Sequence, residues 1–304
     1  FGRTGMLVPP IAVGCAEIGS MPDSFAYTVS EEDALATVRA FLSSPINYID
    51  TAASYNDGES ERRIGKVLRE LGGLPPDTIV QTKAGCDRIV KDFSRETVQR
   101  RFERSLDLLG LDHVHTVFLH DAEQTTFEHC MAPGGVVEML LDYRDQGVVD
   151  NVGVASGPID LSLRYVETGV FDCLLTHNRY TLLNRTADPA QREAKRRRMT
   201  VLNAAPYGSG LLAKGPDVYP RYSYAPAPPE MLEVTRQIAA ACERCGVPLP
   251  AAALQFSMLD PNVDVTIVGM SKPERVQQTI EYATIPIPQA LWDELATFPT
   301  FGDE

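Results

Sequence analysis

Three strand-like segments of this sequence each end on a polar residue that could take part in chemistry. Asp50 ends the run Asn-Tyr-Ile-Asp, Lys83 ends Ile-Val-Gln-Thr-Lys, and His120 ends Val-Phe-Leu-His. A buried carboxylate or ammonium is costly unless it is paired, so Asp50 and Lys83 are expected to neutralise each other. Tyr55 follows Asp50 by five residues in the next loop, and we expect it to lie beside this pair.

A tyrosine beside a lysine is suited to moving a proton to or from a carbonyl or alcohol oxygen. The ordinary pKa of tyrosine is about 10, so tyrosine is a proton donor near pH 7, and a neighbouring ammonium favours the phenolate. We expect Lys83 to supply this field, Asp50 to hold Lys83 charged and oriented, and His120 to hydrogen-bond the reacting oxygen. These residue types indicate carbonyl reduction or alcohol oxidation.

Each of these residues also has a structural explanation when it is taken alone. An aspartate at a strand end often caps a helix, a lysine there can extend to solvent, and a histidine on an apolar strand is often a core residue. What favours catalysis is that the three residues end three successive strands. Strand ends of this kind meet at one face of a parallel barrel, where active sites form.

Eight strand-like runs alternate with helical patterns along the whole chain. The predicted strands are residues 11–16, 48–50, 79–83, 114–119, 152–155, 173–177, 201–205 and 265–268. The predicted helices are residues 31–42, 59–71, 95–109, 136–146, 160–168, 189–198, 230–259, broken near 247–250, and 274–282. Eight strand-helix units without a composition break predict an α/β fold of the TIM type, a single (β/α)₈ barrel domain over residues 1–304.

Composition and charge exclude several classes of protein. The chain has 304 residues, of which 44% are hydrophobic, and a net charge of −13, which disfavours binding to nucleic acid or anionic membranes. Its six cysteines show no disulfide spacing, and Cys242-x-x-Cys245 is interpreted as a structural pair. We find no metal-ligand pattern, no apolar run of 18 residues and no signal-peptide pattern, and expect a cytoplasmic protein with a small-molecule substrate. The oligomeric state is not predicted.

These residues, taken in order, resemble the aldo-keto reductase family over nearly the whole chain. The similar motifs are Phe-Gly-Arg-Thr-Gly at the start, Ile-Asp-Thr-Ala-Ala-Ser-Tyr at 49–55, Thr-Lys at 82–83, Leu-His at 119–120 and Gly-Met-Ser-Lys-Pro-Glu-Arg-Val at 269–276. The resemblance implies an NAD(P)-dependent oxidoreductase. It also implies that Asp50, Tyr55, Lys83 and His120 form the catalytic tetrad.

The resemblance also places the contacts of a nicotinamide cofactor. The implied residues are Gly14, Cys15, Ser156, His177, Tyr207, Gly208, Gly210, Leu211, Gly269, Ser271, Lys272, Arg275, Gln278 and Thr279. Three positions depart from the family pattern. Gly157 follows Ser156 where the family usually has Asn, His177 replaces a Gln, and Ala204 stands where many members stack a Tyr on the nicotinamide.

Two segments are expected to hold the phosphates of the cofactor. Residues 208–213 formally fit G-x-G-x-x-A, a weak signal alone, and in the similar family this loop wraps the pyrophosphate with backbone N–H groups. Residues 269–279 lead into a helix start, which favours phosphate. Ser271 and Lys272 could add to a 2′-phosphate pocket, yet Gly269 stands where some NADPH-specific members keep a Lys. The resemblance leaves NAD and NADP open, and we favour NAD.

Two further segments indicate the substrate. Residues 179–185 and 202–212 look most like the aldose 1-dehydrogenase branch, which includes L-fucose, D-threo-aldose and L-galactose dehydrogenases. This implies hydride transfer from C1 of an aldose to nicotinamide, giving a lactone. A pyridoxal 4-dehydrogenase and a general aldehyde or ketone reductase are the alternatives, and a non-catalytic cofactor-sensing subunit is a hypothesis of another class.

Overall fold

Eight parallel strands form a closed barrel in the computed structural model, which describes residues 1–86 and 90–302. Each strand pairs with its neighbours in chain order, and β1 pairs with both β2 and β8. The strands are β1 (Ile11–Gly14), β2 (Tyr48–Asp50), β3 (Ile79–Gly85), β4 (Val114–His120), β5 (Val149–Ala155), β6 (Cys173–His177), β7 (Thr200–Ala204) and β8 (Val265–Gly269). The predicted barrel is confirmed.

Helices surround the barrel, and most of them follow the strand that the sequence pattern assigns to them. They are α1 (Glu31–Leu42), α2 (Glu59–Glu70), α3 (Arg95–Leu109), α4 (Val136–Asp145), α5 (Ile159–Thr168), α6 (Asp188–Arg196), α7 (Pro229–Arg244), α8 (Leu249–Met258), α9 (Glu274–Thr284) and α10 (Gln289–Leu295). The predicted break is found between α7 and α8, where Gly246 has a φ of +66° and Pro248 follows. None of the helices in the described residues is long and apolar enough to cross a bilayer.

Several short elements were not predicted, because they contain too few residues to show a period. They are the short helices Pro22–Phe25, Phe127–Met131 and Leu211–Lys214, and a two-stranded hairpin formed by Arg221–Tyr222 and Ala225–Pro226. Helix α10 was also missed. The helix predicted over residues 59–71 ends at Glu70, and Leu71, just beyond it, is 54% exposed.

The inside of the barrel changes from apolar to polar along its axis. Tyr48, Phe118 and Leu202 belong to an apolar cluster that fills the interior. Gly153 makes room for this packing, since a Cβ at that position would overlap the ring of Phe118. Further along the same strands, the inward positions carry polar groups, which gather at the carboxyl ends as expected for a barrel of this type.

The apolar faces of the helices cover the outside of the barrel. Ile64, Val67 and Leu68 of α2 and Phe102 of α3 are buried in the cluster between helices and strands. Burying a side chain of this size stabilises the fold by about 1.5 to 3 kcal/mol. These contacts fix the strands whose ends carry the polar residues.

Glu61 is a carboxyl group of α2 that is buried in this layer, and it makes stability depend on pH. Its Oε1 accepts a hydrogen bond of 2.6 Å from the Thr82 hydroxyl. Burial raises the pKa of Glu61 from its ordinary 4.5 to about 7, although hydrogen bonds from Thr82 and Ser105 oppose the rise. The folded protein therefore binds this proton more tightly than the unfolded chain does.

Replacing Glu61 with glutamine is expected to remove this dependence. The stabilisation from the protonated carboxyl is fully present below about pH 4.5 and is lost as the pH rises through about 7. We expect the free energy of unfolding of Glu61→Gln, relative to the native protein, to be higher at pH 8 than at pH 5 by about 2 to 3 kcal/mol. Urea denaturation at both pH values measures this. Glu32→Gln, a substitution at an exposed position, is the control. If Glu61→Gln differed from the native protein in free energy of unfolding by the same amount at pH 5 and pH 8, the expectation would be contradicted.

Candidate active site

Lys83 lies at the centre of a compact polar group at the carboxyl ends of β2 and β3. Its Nζ is 2.8 Å from the Asp50 carboxylate, 2.9 Å from the Thr51 carbonyl oxygen and 2.9 Å from the Tyr55 hydroxyl. Lys83 and Asp50 are each 2% exposed. The structure therefore shows the pairing expected from the sequence, and Tyr55 stands directly beside it.

The strand register explains why these side chains meet. In the parallel pair β2 and β3, Asp50 lies opposite Gln81, and alternation turns Gln81 and Lys83 to the same side. The Gln81 amide donates a 2.6 Å hydrogen bond to Asp50 Oδ1 and accepts one of 2.6 Å from the Tyr48 hydroxyl. This chain of hydrogen bonds runs from the barrel interior and fixes the Asp50 carboxylate towards Lys83.

His120 ends β4 and forms the opposite side of the same group. Its Nδ1 is 3.3 Å from the Ser54 hydroxyl, and its Nε2 is 3.4 Å from the carboxylate of Asp121. The imidazole meets the Tyr55 ring edge to face, with the ring centroids 6.3 Å apart. Asp121 has a φ of +51°, a conformation that costs about 1 kcal/mol or more for a residue with a Cβ and is often found at functional sites.

The pKa of Tyr55 corrects one expectation from the sequence. Burial, followed by the charge of Asp50, raises the pKa of Tyr55 well above its ordinary value of 10. The field of Lys83 was expected to favour the phenolate, but Asp50 neutralises that ammonium at 2.8 Å. Tyr55 is therefore protonated at neutral pH in this arrangement and is ready to donate a proton.

A cavity of about 410 Å³ extends from this group along the mouth of the barrel. One end contains Asp50, Tyr55, Lys83 and His120, so all four predicted catalytic residues line it. Of the predicted cofactor residues, those that line the cavity are Gly14, His177, Tyr207, Gly210, Gly269, Ser271, Arg275, Gln278 and Thr279. The two segments predicted to hold the phosphates of the cofactor thus border one continuous space.

Five other predicted cofactor residues do not line the cavity. Cys15 is fully buried and directs its thiol to the Val13 carbonyl, and the Ser156 hydroxyl donates to Glu123 at 3.3 Å. The remaining three are Gly208 and Leu211, which are buried, and Lys272, which is exposed on the protein surface. Any contact of these five with a cofactor therefore requires their backbone or a different side-chain position.

The glycines of the loop after β7 have a role that differs from the one expected. The N–H groups of Gly208 and Gly210 donate to the carbonyls of Ala205 and Tyr207, at 2.9 and 3.1 Å. A Cβ at Gly208 would overlap the Tyr222 ring, and both glycines have positive φ values. Their backbone donors are used inside the loop, and the missing side chains allow tyrosine rings to pack against it.

The groups that line the cavity suit a nicotinamide dinucleotide. Gly14 and Gly269 are paired neighbours at the ends of β1 and β8, so no side chain of either projects into the space between the two ends. The small apolar side chains of Ala155 and Ala204 border the tetrad end and leave room for a flat ring. At the other end, Arg275 at the start of α9 offers a cation to phosphate.

Residues from two long loops line the cavity and were not predicted. Phe25, Tyr27 and Glu17 come from the loop after β1, while Lys214 and Tyr224 come from the loop after β7. The loops meet where the Tyr219 hydroxyl donates a 3.0 Å hydrogen bond to the Phe25 carbonyl, and where the rings of Phe25 and Tyr224 are 5.8 Å apart. Asp121 was also missed, although its position directly after His120 was a usable signal.

No metal site accompanies this group in the residues that the structure describes. Across residues 1–86 and 90–302, no three His, Cys, Asp or Glu side chains are close enough to hold a metal ion. Cys242 is buried and Cys245 is exposed at the end of α7, and both are free thiols.

A closed (β/α)₈ barrel with an aspartate, a tyrosine, a lysine and a histidine at its mouth, beside a cavity suited to a dinucleotide, defines an NAD(P)-dependent oxidoreductase. Comparison with known proteins identifies the family. The sequence model of the aldo/keto reductase family matches residues 10–298, and the chain belongs to that family.

The relatives of this chain include several dehydrogenases. It is 32% identical to a D-threo-aldose 1-dehydrogenase from Pseudomonas sp, over 96% of this chain and 94% of the relative. It is 29% identical to the L-galactose dehydrogenase of Arabidopsis thaliana, over 93% of this chain and 87% of the relative. It is 28% identical to a pyridoxal 4-dehydrogenase from Microbacterium luteolum, over 97% and 95% of the two chains.

Solved structures support the same fold. The holo form of an aldo-keto reductase from Bacillus halodurans superimposes with a TM-score of 0.78, at 20% sequence identity, over 99% of this chain and 96% of that chain. At this level of identity the similarity shows the fold alone.

Proposed function

We propose that this enzyme oxidises C1 of an aldose of the L-fucose or L-galactose type with NAD, giving a lactone. The observation that carries the proposal is the set of groups around the Tyr55 hydroxyl, which is 2.9 Å from Lys83 Nζ. Asp121 and His177 line the cavity there, and both are hydrogen-bonding partners suited to sugar hydroxyls. The 32% identity to a D-threo-aldose 1-dehydrogenase supports the same substrate class.

The residues of the site divide the work of this oxidation. When bound, the nicotinamide accepts the hydride that leaves C1. Once Tyr55 has released its own proton to solvent, its phenolate oxygen takes the proton of the C1 hydroxyl as the hydride leaves C1, so the C1–O single bond becomes the lactone carbonyl. His120 hydrogen-bonds the same oxygen and fixes its distance to Tyr55. Because the pKa of Tyr55 is raised, oxidation is expected to become faster as the pH rises, whereas reduction benefits from the protonated form.

The nucleotide preference of the proposed enzyme is for NAD. Gly269 provides no cation at a position where some NADPH-specific members of the family keep a lysine, and Lys272 lies exposed outside the cavity wall. Arg275, Ser271 and Gln278 are the groups that would hold the adenosine end. Of these, only Arg275 carries a positive charge.

A substrate panel tests the proposal. Purified enzyme with NAD is given L-galactose, L-fucose, D-arabinose or pyridoxal, and formation of reduced nicotinamide is followed by absorbance. We expect the enzyme to oxidise at least one free sugar with a kcat/KM at least tenfold above that for pyridoxal. A substrate without matching hydroxyls would leave the hydrogen-bonding groups of Asp121 and His177 without partners. The Tyr55→Phe protein, purified in parallel, controls for contaminating dehydrogenases.

Pyridoxal oxidation is the second candidate, and one observation favours it. Phe25 and Tyr224 form an aromatic wall at the cavity, with Tyr224 and His177 ring centroids 6.3 Å apart. A pyridine ring can stack on such a wall. Activity on pyridoxal with none on any sugar would overturn the aldose proposal in favour of this one.

A further inference from the structure

Glu17 is a carboxylic acid of the cavity wall to which the proposed reaction assigns no part. It begins the short turn Glu17–Gly19 after β1, and its side chain lines the cavity. Its carboxylate lies directly against Gly269 at the end of β8, because a Cβ at Gly269 would overlap Oε1. Glu17 therefore fills the space that a side chain at position 269 would need.

The contact with Gly269 places Glu17 towards the end of the cavity that Ser271 and Arg275 border. The ammonium of Lys214 acts on both Glu17 and Arg275, and the Tyr27 hydroxyl, which is hydrogen-bonded with Ser271, is influenced by both of them as well. The influence of Glu17 on Tyr55 is weaker than that of Asp50. The carboxylate thus lies against the end of β8, on the side of the cavity that Ser271 and Arg275 line, where the ribose and phosphate groups of a bound cofactor would pass.

A carboxylate at this place has opposite effects on the two nucleotides. Ribose hydroxyls are donors that a carboxylate binds well, as acidic residues do in other dinucleotide sites. A 2′-phosphate carries close to two negative charges and is repelled by an anion in a cavity of low dielectric constant. Lys214 and Arg275, which line the same cavity, would also contact the phosphates common to both nucleotides, so they would offset this repulsion only in part.

We propose that Glu17 is a specificity-determining residue that makes the site select NAD over NADP, by accepting hydrogen bonds from ribose and excluding a 2′-phosphate. The assignment rests on the NAD preference proposed above. It concerns binding alone, so it can be tested without any substrate.

The test measures binding of NADH and NADPH at pH 8, where Glu17 is ionised, to the native protein, to Glu17→Gln and to Glu17→Ala, by quenching of protein fluorescence and by calorimetry. The native protein is expected to bind NADH more tightly. Both variants are expected to bind NADPH at least about tenfold more tightly than the native protein does, which corresponds to removing one like charge near the phosphate. Affinity for NADH is expected to stay within about threefold in Glu17→Gln, since its amide oxygen still accepts a hydrogen bond.

Glu32→Gln is the matched control, since it makes the same change of net charge at an exposed site on α1. The proposal is overturned if both Glu17 variants keep the native ratio of NADPH to NADH affinity, or if the native protein binds NADPH more tightly. If the enzyme oxidised no sugar in the panel but the Glu17 variants showed a changed ratio of NADPH to NADH affinity, the proposed aldose substrate would be rejected. The proposed role of Glu17 would still stand.

A pH series adds a readout that a purely structural role would not move. Burial raises the pKa of Glu17 to about 7 against the opposing charge of Lys214. The groups that interact electrostatically with it are Lys214, Tyr27, Tyr55, Tyr219, Tyr224 and Cys15, and Arg275 lies next to Lys214 and Tyr27. Between pH 8 and 6 the native preference for NADH should weaken as Glu17 takes up its proton, and more steeply than in Glu17→Gln. The 2′-phosphate titrates near pH 6 in both proteins and cancels from this comparison. If the preference for NADH changed equally with pH in the native protein and in Glu17→Gln, the proposal would be contradicted.

Discussion

Replacing Tyr55 with phenylalanine is expected to lower turnover by roughly 10²-fold or more, the usual scale of help from a general acid or base. The ring keeps its packing against His120, and only the hydroxyl that Lys83 contacts at 2.9 Å is lost. Affinity for the nicotinamide nucleotide is expected to change by less than about threefold, because the hydroxyl lies at the reacting oxygen. Steady-state kinetics and fluorescence titration with NADH measure the two quantities.

Tyr143→Phe is the matched control for this change. It removes a tyrosine hydroxyl that donates a 2.8 Å hydrogen bond to Glu103 on the outer helices, away from the cavity. Turnover of this control is expected to stay within about twofold, as for most surface changes. A Tyr55→Phe enzyme with near-native turnover would show that another group carries the proton.

The second large effect concerns the buried pair of Lys83 and Asp50. Lys83→Met leaves the Asp50 carboxylate buried and unpaired, so it is expected to destabilise the fold by about 3 to 5 kcal/mol and to reduce turnover. It also removes the cation beside Tyr55, and the pKa of Tyr55 should rise further. Asp50→Asn instead removes a charge that raises this pKa, and leaves the ammonium unopposed at the Tyr55 hydroxyl.

The pH profiles of oxidation should therefore move in opposite directions. The residual rate of Asp50→Asn is expected to rise at lower pH than in the native enzyme, and that of Lys83→Met only at higher pH. The double variant Asp50→Asn, Lys83→Met is expected to be more stable than Lys83→Met, because it leaves no lone buried charge. If both single variants shifted the profile the same way, the electrostatic account of Tyr55 would be wrong.

The barrel, and the meeting of Asp50, Lys83 and His120 at its mouth, could be predicted from the sequence for a common physical reason. Strand alternation turns Asp50 and Lys83 inward, and parallel strands bring their carboxyl ends together, so three strand-end residues were sufficient to locate the site. The position of His120 follows from the same argument. The break between α7 and α8 was predicted because Gly246 and Pro248 leave a local signal that no tertiary contact overrides.

Other features depend on contacts between distant segments and leave no local pattern. Glu17 faces Gly269 only because β1 and β8 close the barrel, and Tyr224 reaches the cavity through a loop with no period. The direction of the Tyr55 pKa shift depends on how strongly burial competes with Lys83, which residue types alone do not give. Gly208 and Gly210 looked like phosphate-binding glycines, whereas the packing of Tyr222 and Tyr219 accounts for them.

Transfer of deuterium from C1 of the sugar to the nucleotide tests the central claim most directly. L-galactose labelled with deuterium at C1 is incubated with NAD and the native enzyme, and both products are analysed by NMR and mass spectrometry. We predict deuterium on the nicotinamide ring, a lactone as the other product, and loss of both signals in Tyr55→Phe. Reduced nucleotide without deuterium, or the same labelled products from Tyr55→Phe at a native rate, would contradict the assignment of C1 oxidation to Tyr55 at the mouth of this barrel.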